Sequence, residues 1–436
     1  MSDTTTKSGA PYPSTTTAWT MTLLLTLAYI ISFLDRSILG ALVQPIKADL
    51  GVSDEAMGYL SGIAFGTFYG IIGLPLGWLA DRRRRTRIVA VGVTLWSFAT
   101  VASGLVRGFG QLFAARMAVG VGEAVLSPCA MSLISDSFPP EKRGKPVGVY
   151  STALAFGVGV SGLIGALVLS VGKDGVTLPL LGTLKAWQFA FVAVGLPGLL
   201  LAPIFMLLPE PARRVESTTP TGFKEAFGHV GGNFWALGGV MMLAAVMTTI
   251  AYSQFFNVAA FSRTYGWDAK DYLQVNGWIN LVVGPFVVFA TGFLIDWLRT
   301  HGTRDAAFRV LTYAFVPLLP LSSIGLFMPN ATLAFFVMSC SSICLGVITS
   351  SAILALLEIT PAHVRGQVVA MYYMMISILG QGLGPTTAGL LSTRVFGEDN
   401  LRWAIASVPF LYGIIPLLLL PMIWRAYHKR LAQSLL

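Results

Sequence analysis

Four charged residues stand out because they lie inside long apolar segments of the sequence, where charge is rare. Asp35 and Arg36 lie in the first apolar segment, and Arg116 and Glu123 lie in the fourth. A charge near the middle of a bilayer costs about 2.5–3.5 kcal/mol on insertion scales, so such residues usually mark a functional site. A carboxyl group whose arginine partner comes and goes can change its protonation with conformation. The four residues therefore indicate proton transfer and anion binding within a membrane.

The spacing of these residues indicates how each pair lies on its own helix. Arg116 and Glu123 are seven positions apart, so they share a helix face, and Gly120 between them leaves space for a neighbouring group. Asp35 and Arg36 are adjacent and diverge by about 100° around their helix. We hypothesise that Asp35 and Glu123 carry protons, with the two arginines as charge partners or anchors for the substrate head group. The alternative, a static salt-bridge network, is less favoured because hydrophobic replacement of buried ion pairs is often stabilising.

The composition requires helices that cross a membrane. Of the 436 residues, 55% are hydrophobic and 11% are charged, and the mean hydropathy is +0.72. Soluble proteins carry about 25% charged residues, and each membrane-spanning helix needs about 20 apolar residues. These values exclude a soluble globular protein, a disordered chain and a disulfide scaffold.

The apolar segments fall into two sets of six. The first set covers residues 19–45, 55–80, 88–106, 109–136, 144–172 and 186–208. The second set covers residues 230–260, 271–298, 307–328, 331–358, 364–393 and 401–427. We predict an all-α membrane protein with twelve transmembrane helices in two pseudo-symmetric six-helix halves, 19–208 and 230–427. A cytoplasmic linker, 209–229, separates the halves, and residues 1–18 and 428–436 are predicted to be cytoplasmic tails, the first of them disordered.

The distribution of lysine and arginine predicts the orientation. With the N-terminus in the cytoplasm, 19 of the 29 basic residues fall on the cytoplasmic side, eight fall on the other side, and two lie within spans. Basic residues favour cytoplasmic loops, so both termini are predicted to be cytoplasmic. The net charge of +9 then needs no nucleic acid partner. Short loops and the lack of a targeting peptide favour a bacterial inner (plasma) membrane.

Short motifs recur in the two halves. The segment 77–82, Gly-Trp-Leu-Ala-Asp-Arg, has a counterpart 215 positions later in 292–297, Gly-Phe-Leu-Ile-Asp-Trp. Two matched halves are a common plan of secondary transporters, which bind their substrate between the halves near the middle of the membrane. Residues 77–85 resemble the loop 2–3 signature of the major facilitator superfamily, although Arg84 replaces its usual glycine. Residues 116–124 resemble the fourth-span signature of the same superfamily.

A narrower resemblance is to the spinster branch of this superfamily. It is carried by Leu34-Asp35-Arg36, by Val-Gly-Val-Gly-Glu-Ala at 119–124, and by Asp136-x-Phe138. The resemblance implies proton-coupled movement of a lysophospholipid or sphingoid-like amphiphile by alternating access. Anion:proton symporters of the superfamily also carry an Asp-Arg pair in span one and a glutamate in span four. The alternative is therefore proton-coupled symport of a small organic anion such as a sugar acid.

Charged motifs at the ends of the second and eighth apolar segments predict a cytoplasmic gate. Asp81, together with Gly77, Arg82 and Arg85, would meet the N-terminus of a helix in the other half when that side is closed, because a helix dipole favours a carboxylate there. Asp296 is the weaker counterpart in the second half. The alternative is that these residues only maintain the orientation of the chain.

The second half has no charge deep within a segment. Its candidate cavity residues are Asn257, Tyr372, Tyr373 and Gln381. A cavity that is charged on one side and apolar on the other suits an amphiphilic substrate. The sequence lacks an HExxH motif, an embedded nucleophile–base set and a nucleotide-binding motif, and a channel would not need the two-half repeat. We therefore expect a monomeric transporter, not an enzyme, with no cofactor or metal, whose partners are protons, membrane lipids and a small substrate.

Overall fold

Twelve helices long and apolar enough to cross a membrane are found in a computed structural model of the chain. The structure describes residues 11–139, 142–171, 175–179, 182–213, 223–361 and 364–434. The helices confirm the predicted all-α membrane fold. Because twelve is an even number, the chain starts and ends on the same side of the membrane, which we call the terminal side; the other is the opposite side.

The first half contains spans 1 to 6. Their helices are Thr15–Ala41 (span 1), Asp54–Ser61 and Phe68–Arg82 joined by a π-helical turn at Gly62–Thr67 (span 2), Arg85–Ser103 (span 3), Phe109–Glu123 and Leu126–Ser137 (span 4), Gly144–Val171 (span 5) and Ala186–Leu207 (span 6). A short helix, Val43–Leu50, follows span 1. An antiparallel hairpin of strands Val176–Leu178 and Gly182–Leu184 joins spans 5 and 6 on the opposite side.

The second half contains spans 7 to 12, preceded by a linker helix, Phe223–Gly232. Span 7 comprises Phe234–Gly238, Gly239–Ser253, Gln254–Phe256 and Asn257–Tyr265, span 8 is Ala269–Thr300, and span 9 is Ala306–Ile324 with a short turn at Gly325–Phe327. Span 10 is Ala331–Glu358, span 11 comprises Arg365–Met375, Ile376–Gln381, Gly382–Leu391 and Ser392–Phe396, and span 12 is Leu401–Ser434, preceded by a turn at Glu398–Asn400.

Three predicted boundaries need correction. Span 1 begins at Thr15, inside the predicted 1–18 tail, because the Ser14 hydroxyl accepts a hydrogen bond from the Thr17 amide and caps the helix. Span 12 continues to Ser434, past the predicted boundary at 428. Its last turns stay ordered because Tyr427 donates a hydrogen bond to Glu358. The predicted linker 209–229 includes part of a helix, while residues 1–10, 214–222 and 435–436 lie outside the described part of the chain.

The two halves meet along seams of glycine residues. On span 2, Gly66 lies so close to span 11 that an added Cβ would come within 2.9 Å of the Gly382 backbone nitrogen. On span 5, a Cβ at Gly162 would come within 2.9 Å of the Gly277 Cα on span 8. Small residues allow helix backbones to approach closely inside a membrane. These two seams bring the halves into direct contact.

The arrangement of the hydrophobic core shows which side is closed. On the opposite side, one cluster of buried residues contains side chains from both halves, including Leu60 and Ala388. Towards the terminal side, the clusters separate: one draws only on the first half and the other only on the second half. The described residues are therefore packed together across the halves on the opposite side and form separate cores on the terminal side.

Candidate functional site

The four charged residues singled out in the sequence lie together in the first half. Span 1 places Asp35 and Arg36 against the helix Phe109–Glu123 of span 4. The Arg36 Nε donates to the Glu123 Oε2 at 2.6 Å, and the Arg116 Nη1 donates to the Asp35 Oδ1 at 2.9 Å. Each helix thus supplies one acid and one base, and the ion pairs cross between the helices. We call these four residues the central network.

The two carboxylates of the central network are deeply buried, each with 1% of its residue surface exposed. Glu123 also accepts a hydrogen bond from Ser32 at 2.8 Å, and Asp35 accepts one from Thr100 on span 3. The second carboxylate oxygen of Glu123 is buried and has no hydrogen-bond partner. Glu123 therefore retains a free acceptor position inside a dry environment, where an unsatisfied polar group is costly.

Aromatic rings surround Arg36, the most exposed member of the network, whose side chain is 12% accessible. Its guanidinium carbon lies 5.2, 4.8 and 4.9 Å from the ring centres of Phe33, Phe65 and Tyr69. Such cation–π contacts stabilise a partly desolvated arginine. Tyr252 on span 7 lies close enough to Arg36 to interact with it electrostatically. Arg36 therefore connects the charges of the first half to the second half.

The candidate cavity residues of the second half differ in their exposure. Tyr373 is 56% exposed, whereas Tyr372, Gln381 and Asn257 are buried, with 9% or less of each accessible. Tyr372 packs in the terminal-side core of the second half. The Asn257 side-chain oxygen is buried and has no hydrogen-bond partner. In this conformation only Tyr373 of the four presents a broad surface.

A second charged cluster lies on the opposite side and joins the two halves. Asp54, at the start of span 2, accepts from Lys47 at 2.5 Å and from Arg263 on span 7 at 2.7 Å. Lys47 also pairs with Glu398 at 2.5 Å, and Glu398 accepts from the Asp54 amide at 2.7 Å. Asp54 is fully buried. We call Lys47, Asp54, Arg263 and Glu398 the opposite-side latch.

Sequence reasoning did not find the opposite-side latch. In the sequence, Lys47 and Arg263 are two of the eight basic residues assigned to the side opposite the cytoplasm. No pattern marks Asp54 or Glu398. Arg263 is 209 positions from Asp54, and Glu398 is 344 positions away. Neither residue carries a local motif, so one sequence offers no signal for this pairing.

The predicted gate residues lie on the terminal side, and the described ones contact their own half. Arg85 is buried, pairs with Asp136 at the end of span 4, and donates from its Nε to Glu210 at 2.8 Å. Asp296 is 78% exposed and approaches Arg299 on its own helix at 3.8 Å. Arg82 is exposed on the surface. Gly77 and Asp81 lie in the helix Phe68–Arg82, but the surroundings of Gly77 and the side chain of Asp81 lie outside the described part of the structure.

Burial and hydrogen bonding set the charge state of Glu210, which lies between the first half and the linker. Burial alone would raise the pKa of Glu210, but hydrogen bonds from the Thr86 amide and from Arg85 outweigh it, and the pKa lies below its ordinary value of 4.5. Glu210 therefore remains an anion at neutral pH. It fixes the start of span 3 to the end of span 6.

Comparison with known proteins identifies relatives over most of the chain. The family model described as Major Facilitator Superfamily matches residues 25–385. An MFS-type efflux pump of Mycolicibacterium smegmatis is 26% identical over 386 residues, which cover 86% of this chain and 84% of the relative. A probable L-galactonate transporter of Escherichia coli is 34% identical over 200 residues, covering 46% of this chain and only 41% of the relative.

Among solved structures, the chain is similar to a bacterial homologue of the human lysosomal transporter Spinster in an inward-facing, unoccupied conformation. The TM-score is 0.77 and the sequence identity is 26%, over 97% of this chain and 94% of the other. The likeness extends over the whole described bundle.

Proposed function

The chain belongs to the major facilitator superfamily, and we propose that it is a proton-coupled transporter that moves a lysophospholipid or sphingoid-like amphiphile by alternating access. As a spinster-like member of that superfamily it is a multi-pass membrane transporter and not an enzyme. The observation that carries the proposal is the central network, in which two proton-titratable groups and two arginines are buried as ion pairs between spans 1 and 4.

We infer that the terminal side faces the cytoplasm of a bacterial inner membrane. The distribution of basic residues, 19 against eight, supports this orientation. The terminal-side cores are separate and the opposite-side core is shared. With this orientation, the structure corresponds to an inward-facing state.

Proton binding and substrate binding are linked by the crossed ion pairs. If Glu123 takes up a proton, Arg36 loses its carboxylate partner, and an unpaired buried cation is strongly unfavourable. An anionic substrate group that binds Arg36 restores the balance of charge. Asp35 and Arg116 form the second, more enclosed pair and respond in the same way. A proton on a network carboxyl group and an anion on the neighbouring arginine therefore stabilise each other.

The asymmetry between the halves favours an amphiphile. The central network belongs to the first half, while Tyr252 of the second half lies close to Arg36 and Tyr373 of the second half lies close to Tyr69. Among the described residues of the second half, charged side chains lie near the ends of spans rather than at mid-span. An anionic head group would bind Arg36 while its hydrophobic tail contacts the second half. The likeness to the Spinster homologue supports the resemblance to the spinster branch, and it is that resemblance which implies this substrate class.

Symport of a small sugar acid is the second candidate function. The observation in its favour is the 34% identity to the probable L-galactonate transporter over 200 residues. A sugar acid offers a carboxylate to Arg36 but no tail for the aromatic surface. The two candidates therefore share the anion site and differ in what fills the rest of the cavity.

Ligand-induced stabilisation distinguishes the two candidates. The melting temperature of the purified chain in detergent would be measured with lysophosphatidylglycerol and, separately, with galactonate. Specific binding to the folded state raises the melting temperature with ligand concentration. We expect a rise with the lysophospholipid that is reduced in an Arg36→Gln variant. A rise with galactonate alone would exclude the amphiphile.

Transport in proteoliposomes tests proton coupling. Asp35→Asn and Glu123→Gln remove the titratable groups while preserving side-chain shape. We expect each variant to reduce the pH-gradient-driven uptake of a fluorescent lysophospholipid by at least about tenfold. The reason is that the loss of a buried charge partner costs several kcal/mol. Asp271→Asn, at an exposed carboxylate in the first turn of span 8, is the control and should transport normally. Unimpaired gradient-driven transport by both network variants would refute the coupling mechanism.

A further inference from the structure

A small polar pocket lies in the second half, between spans 8 and 10. Its volume is about 50 Å³, and its polar lining consists of Asn276 and Asn280 on span 8 and Ser339 and Ser342 on span 10. We call these residues and the space between them the second-half pocket. We propose that the second-half pocket binds the hydroxyl groups of a substrate whose anionic group is held at Arg36, an inference that rests on the proposed function and narrows its substrate class.

The two asparagines leave hydrogen-bonding groups free in the pocket. The Asn280 Nδ2 donates to the Asn276 backbone carbonyl at 2.8 Å and to the Asn276 Oδ1 at 2.9 Å. Among the described residues, the Asn280 Oδ1 accepts no hydrogen bond and the Asn276 Nδ2 donates none. Both residues are half-buried, so a ligand can reach these two atoms. The pair therefore provides one free acceptor and one free donor.

The two serines provide further acceptors on the wall formed by span 10. Ser339 donates to the Phe335 carbonyl at 2.8 Å, and Ser342 donates to the Met338 carbonyl at 3.1 Å. Each hydroxyl hydrogen is thus used within the helix, while each hydroxyl oxygen can still accept a hydrogen bond. Ser342 is exposed, so its oxygen is open to a ligand.

The chemistry of the lining selects uncharged hydroxyl groups. None of the described residues that line the pocket is charged, so the pocket holds no counter-ion for a phosphate, a carboxylate or an ammonium group. A hydroxyl group both donates and accepts hydrogen bonds, which matches the donor and the acceptors present. An enclosed water needs about 10–15 Å³ of space, so the pocket accommodates about three or four non-hydrogen atoms. That is the size of a short hydroxylated chain.

The pocket lies on the inner side of span 8, away from its lipid-facing side chains. A Cβ at Gly346 of span 10 would come within 2.9 Å of Val287, and Asn280, seven positions before Val287, shares its helix face. Asn280 is also three positions after Gly277, which packs against span 5. A different face carries the large exposed apolar side chains Val282, Phe286, Phe289 and Phe293. Asn280 therefore lies between the contacts with span 5 and span 10.

Span 5 links the depth of the pocket to the depth of span 1. A Cβ at Gly157 would come within 3.0 Å of the Phe33 Cβ on span 1, and a Cβ at Gly159 would come within 2.6 Å of the Leu281 backbone nitrogen on span 8. Gly157 and Gly159 are two positions apart, which is about 3 Å along a helix axis. Phe33 and Leu281 therefore lie at nearly the same level of the bundle.

This relation places the pocket level with the central network. Arg36 follows Phe33 by three positions, and Asn280 directly precedes Leu281. Only span 5 lies between spans 1 and 8 on this side of the bundle, and neighbouring helix axes are about 8–10 Å apart. One small head group can therefore place its anion at Arg36 and its hydroxyl groups at Asn280.

Two sources carry this chemistry, and each has a matched analogue without the hydroxyl groups. Lysophosphatidylglycerol has a glycerol group beyond its phosphate, and lysophosphatidylethanol has the same tail and charge but an ethyl group in that place. Galactonate has a hydroxylated chain beyond its carboxylate, and hexanoate has the same number of carbon atoms without those hydroxyl groups. Comparison within each pair measures the hydroxyl groups alone.

The experiment measures the affinity of the purified full chain in detergent for all four ligands. The dissociation constant follows from the rise of the melting temperature with ligand concentration. We expect wild type to bind lysophosphatidylglycerol about tenfold more tightly than lysophosphatidylethanol, the effect of about two hydrogen bonds. Asn280→Leu should reduce this preference to about twofold or less and leave the affinity for lysophosphatidylethanol unchanged.

Variants on span 10 provide a second test and its control. Ser342→Ala should reduce the preference about threefold, and it carries the test if Asn280→Leu fails to fold. Ser350→Ala is the matched control, because Ser350 also donates to the carbonyl four positions earlier, at 3.0 Å, but lies outside the lining of the pocket. It should keep the preference of wild type.

The outcomes separate this inference from the proposed function. A preference for galactonate over hexanoate that Asn280→Leu abolishes, without binding of either lysophospholipid, would confirm the pocket and exclude the amphiphile. Equal affinities of wild type within both pairs would overturn the pocket, even where Arg36→Gln weakens binding of every ligand. A preference that Asn280→Leu and Ser342→Ala both retain, or that Ser350→Ala loses equally, would also overturn it.

Discussion

The opposite-side latch and the central network each contain two acidic and two basic residues, but the halves of the molecule contribute to them differently. Lys47 and Asp54 in the latch come from the first half, and Arg263 and Glu398 come from the second. All four residues of the central network come from spans 1 and 4 of one half.

This difference predicts two kinds of behaviour. A cluster that crosses the halves must break whenever they separate on its side, so it contributes directly to the conformational equilibrium. A cluster inside one half moves as a unit and responds to protons and ligands instead. Tyr252 of the second half lies close to Arg36 of the central network, so it should behave in an intermediate way.

Breaking the latch should have the largest conformational effect. In Asp54→Asn, Lys47 and Arg263 lose their shared buried carboxylate, and removing one partner of a buried ion pair costs about 3–5 kcal/mol. We expect the population with a separated opposite side to rise at least about a hundredfold. The measurement is the distance distribution between spin labels at Thr183 and Lys270, exposed sites in different halves, after replacement of the three native cysteines.

Arg394→Gln is the control for this experiment. Arg394 also bridges the halves, through Glu55 at 2.6 Å, but its side chain is 68% exposed. Exposed pairs contribute about 0–1 kcal/mol, so the distance distribution should change little. Equal shifts in the two variants would contradict the view that burial of Asp54 makes the latch decisive.

Disturbing the glycine seam should have the next largest effect. In Gly66→Ala the new Cβ would lie 2.9 Å from the Gly382 nitrogen and 3.0 Å from the Gln381 carbonyl carbon. Such overpacking costs about 1–3 kcal/mol, and moving the halves apart relieves it. We expect the population with a separated opposite side, measured with the same spin labels, to rise about tenfold. Gly73→Ala, where a Cβ meets nothing within 4 Å, should leave them unchanged.

Removing the Tyr252 hydroxyl should have a smaller effect. Tyr252→Phe removes a hydroxyl that lies close to Arg36, and a typical polar interaction of this kind contributes about 0.5–1.5 kcal/mol. We expect the population with a separated opposite side, measured with the same spin labels, to change about fivefold. Tyr313→Phe, at an exposed tyrosine of span 9, should match wild type. A shift as large as that of Asp54→Asn would contradict the assignment of the central network to one half.

The cluster around Glu210 should have the smallest effect and should depend on pH. The folded-state pKa of Glu210 lies below its ordinary value of 4.5, so its stabilising contribution is present above pH 4.5 and is lost as the pH falls through the folded value. Glu210→Gln should lower the melting temperature at pH 7 by about 1–2 °C, and the difference should shrink below pH 4.5.

The distance between the two spin labels distinguishes the cluster around Glu210 from the opposite-side latch. The first half and the segment that directly follows span 6 contain Glu210, Arg85 and Asp136. Glu210→Gln should therefore leave the distance between the two halves unchanged. A change in that distance would show that this terminal-side cluster takes part in the opening of the halves.

Much of the architecture follows from local patterns. The twelve spans were predicted because each is an apolar run of suitable length, and the paired halves were predicted because Gly77–Arg82 and Gly292–Trp297 are similar. The proximity of Asp35, Arg36, Arg116 and Glu123 was expected because the resemblance to the superfamily implies that spans 1 and 4 line the same cavity. Their roles in coupling remain predictions.

Other features had no local pattern to reveal them. The helix ends at Thr15 and Ser434 depend on a capping hydroxyl and on contacts with distant spans. The burial of Tyr372 and Asn257 follows from the packing of the second half, since one helix sequence does not state which of its faces meets a cavity.

The sequence by itself determined the class of protein, the number of spans and the four mid-membrane charges, because the cost of placing charge in hydrocarbon acts on each residue separately. Only the tertiary structure decided that Arg36 pairs with Glu123, that Arg116 pairs with Asp35, and that the opposite-side latch exists at all. Pairing depends on which helices lie side by side, and that is a property of the packing of the whole chain. Residues such as Asp54 and Glu398 acquire their role only when the two halves meet.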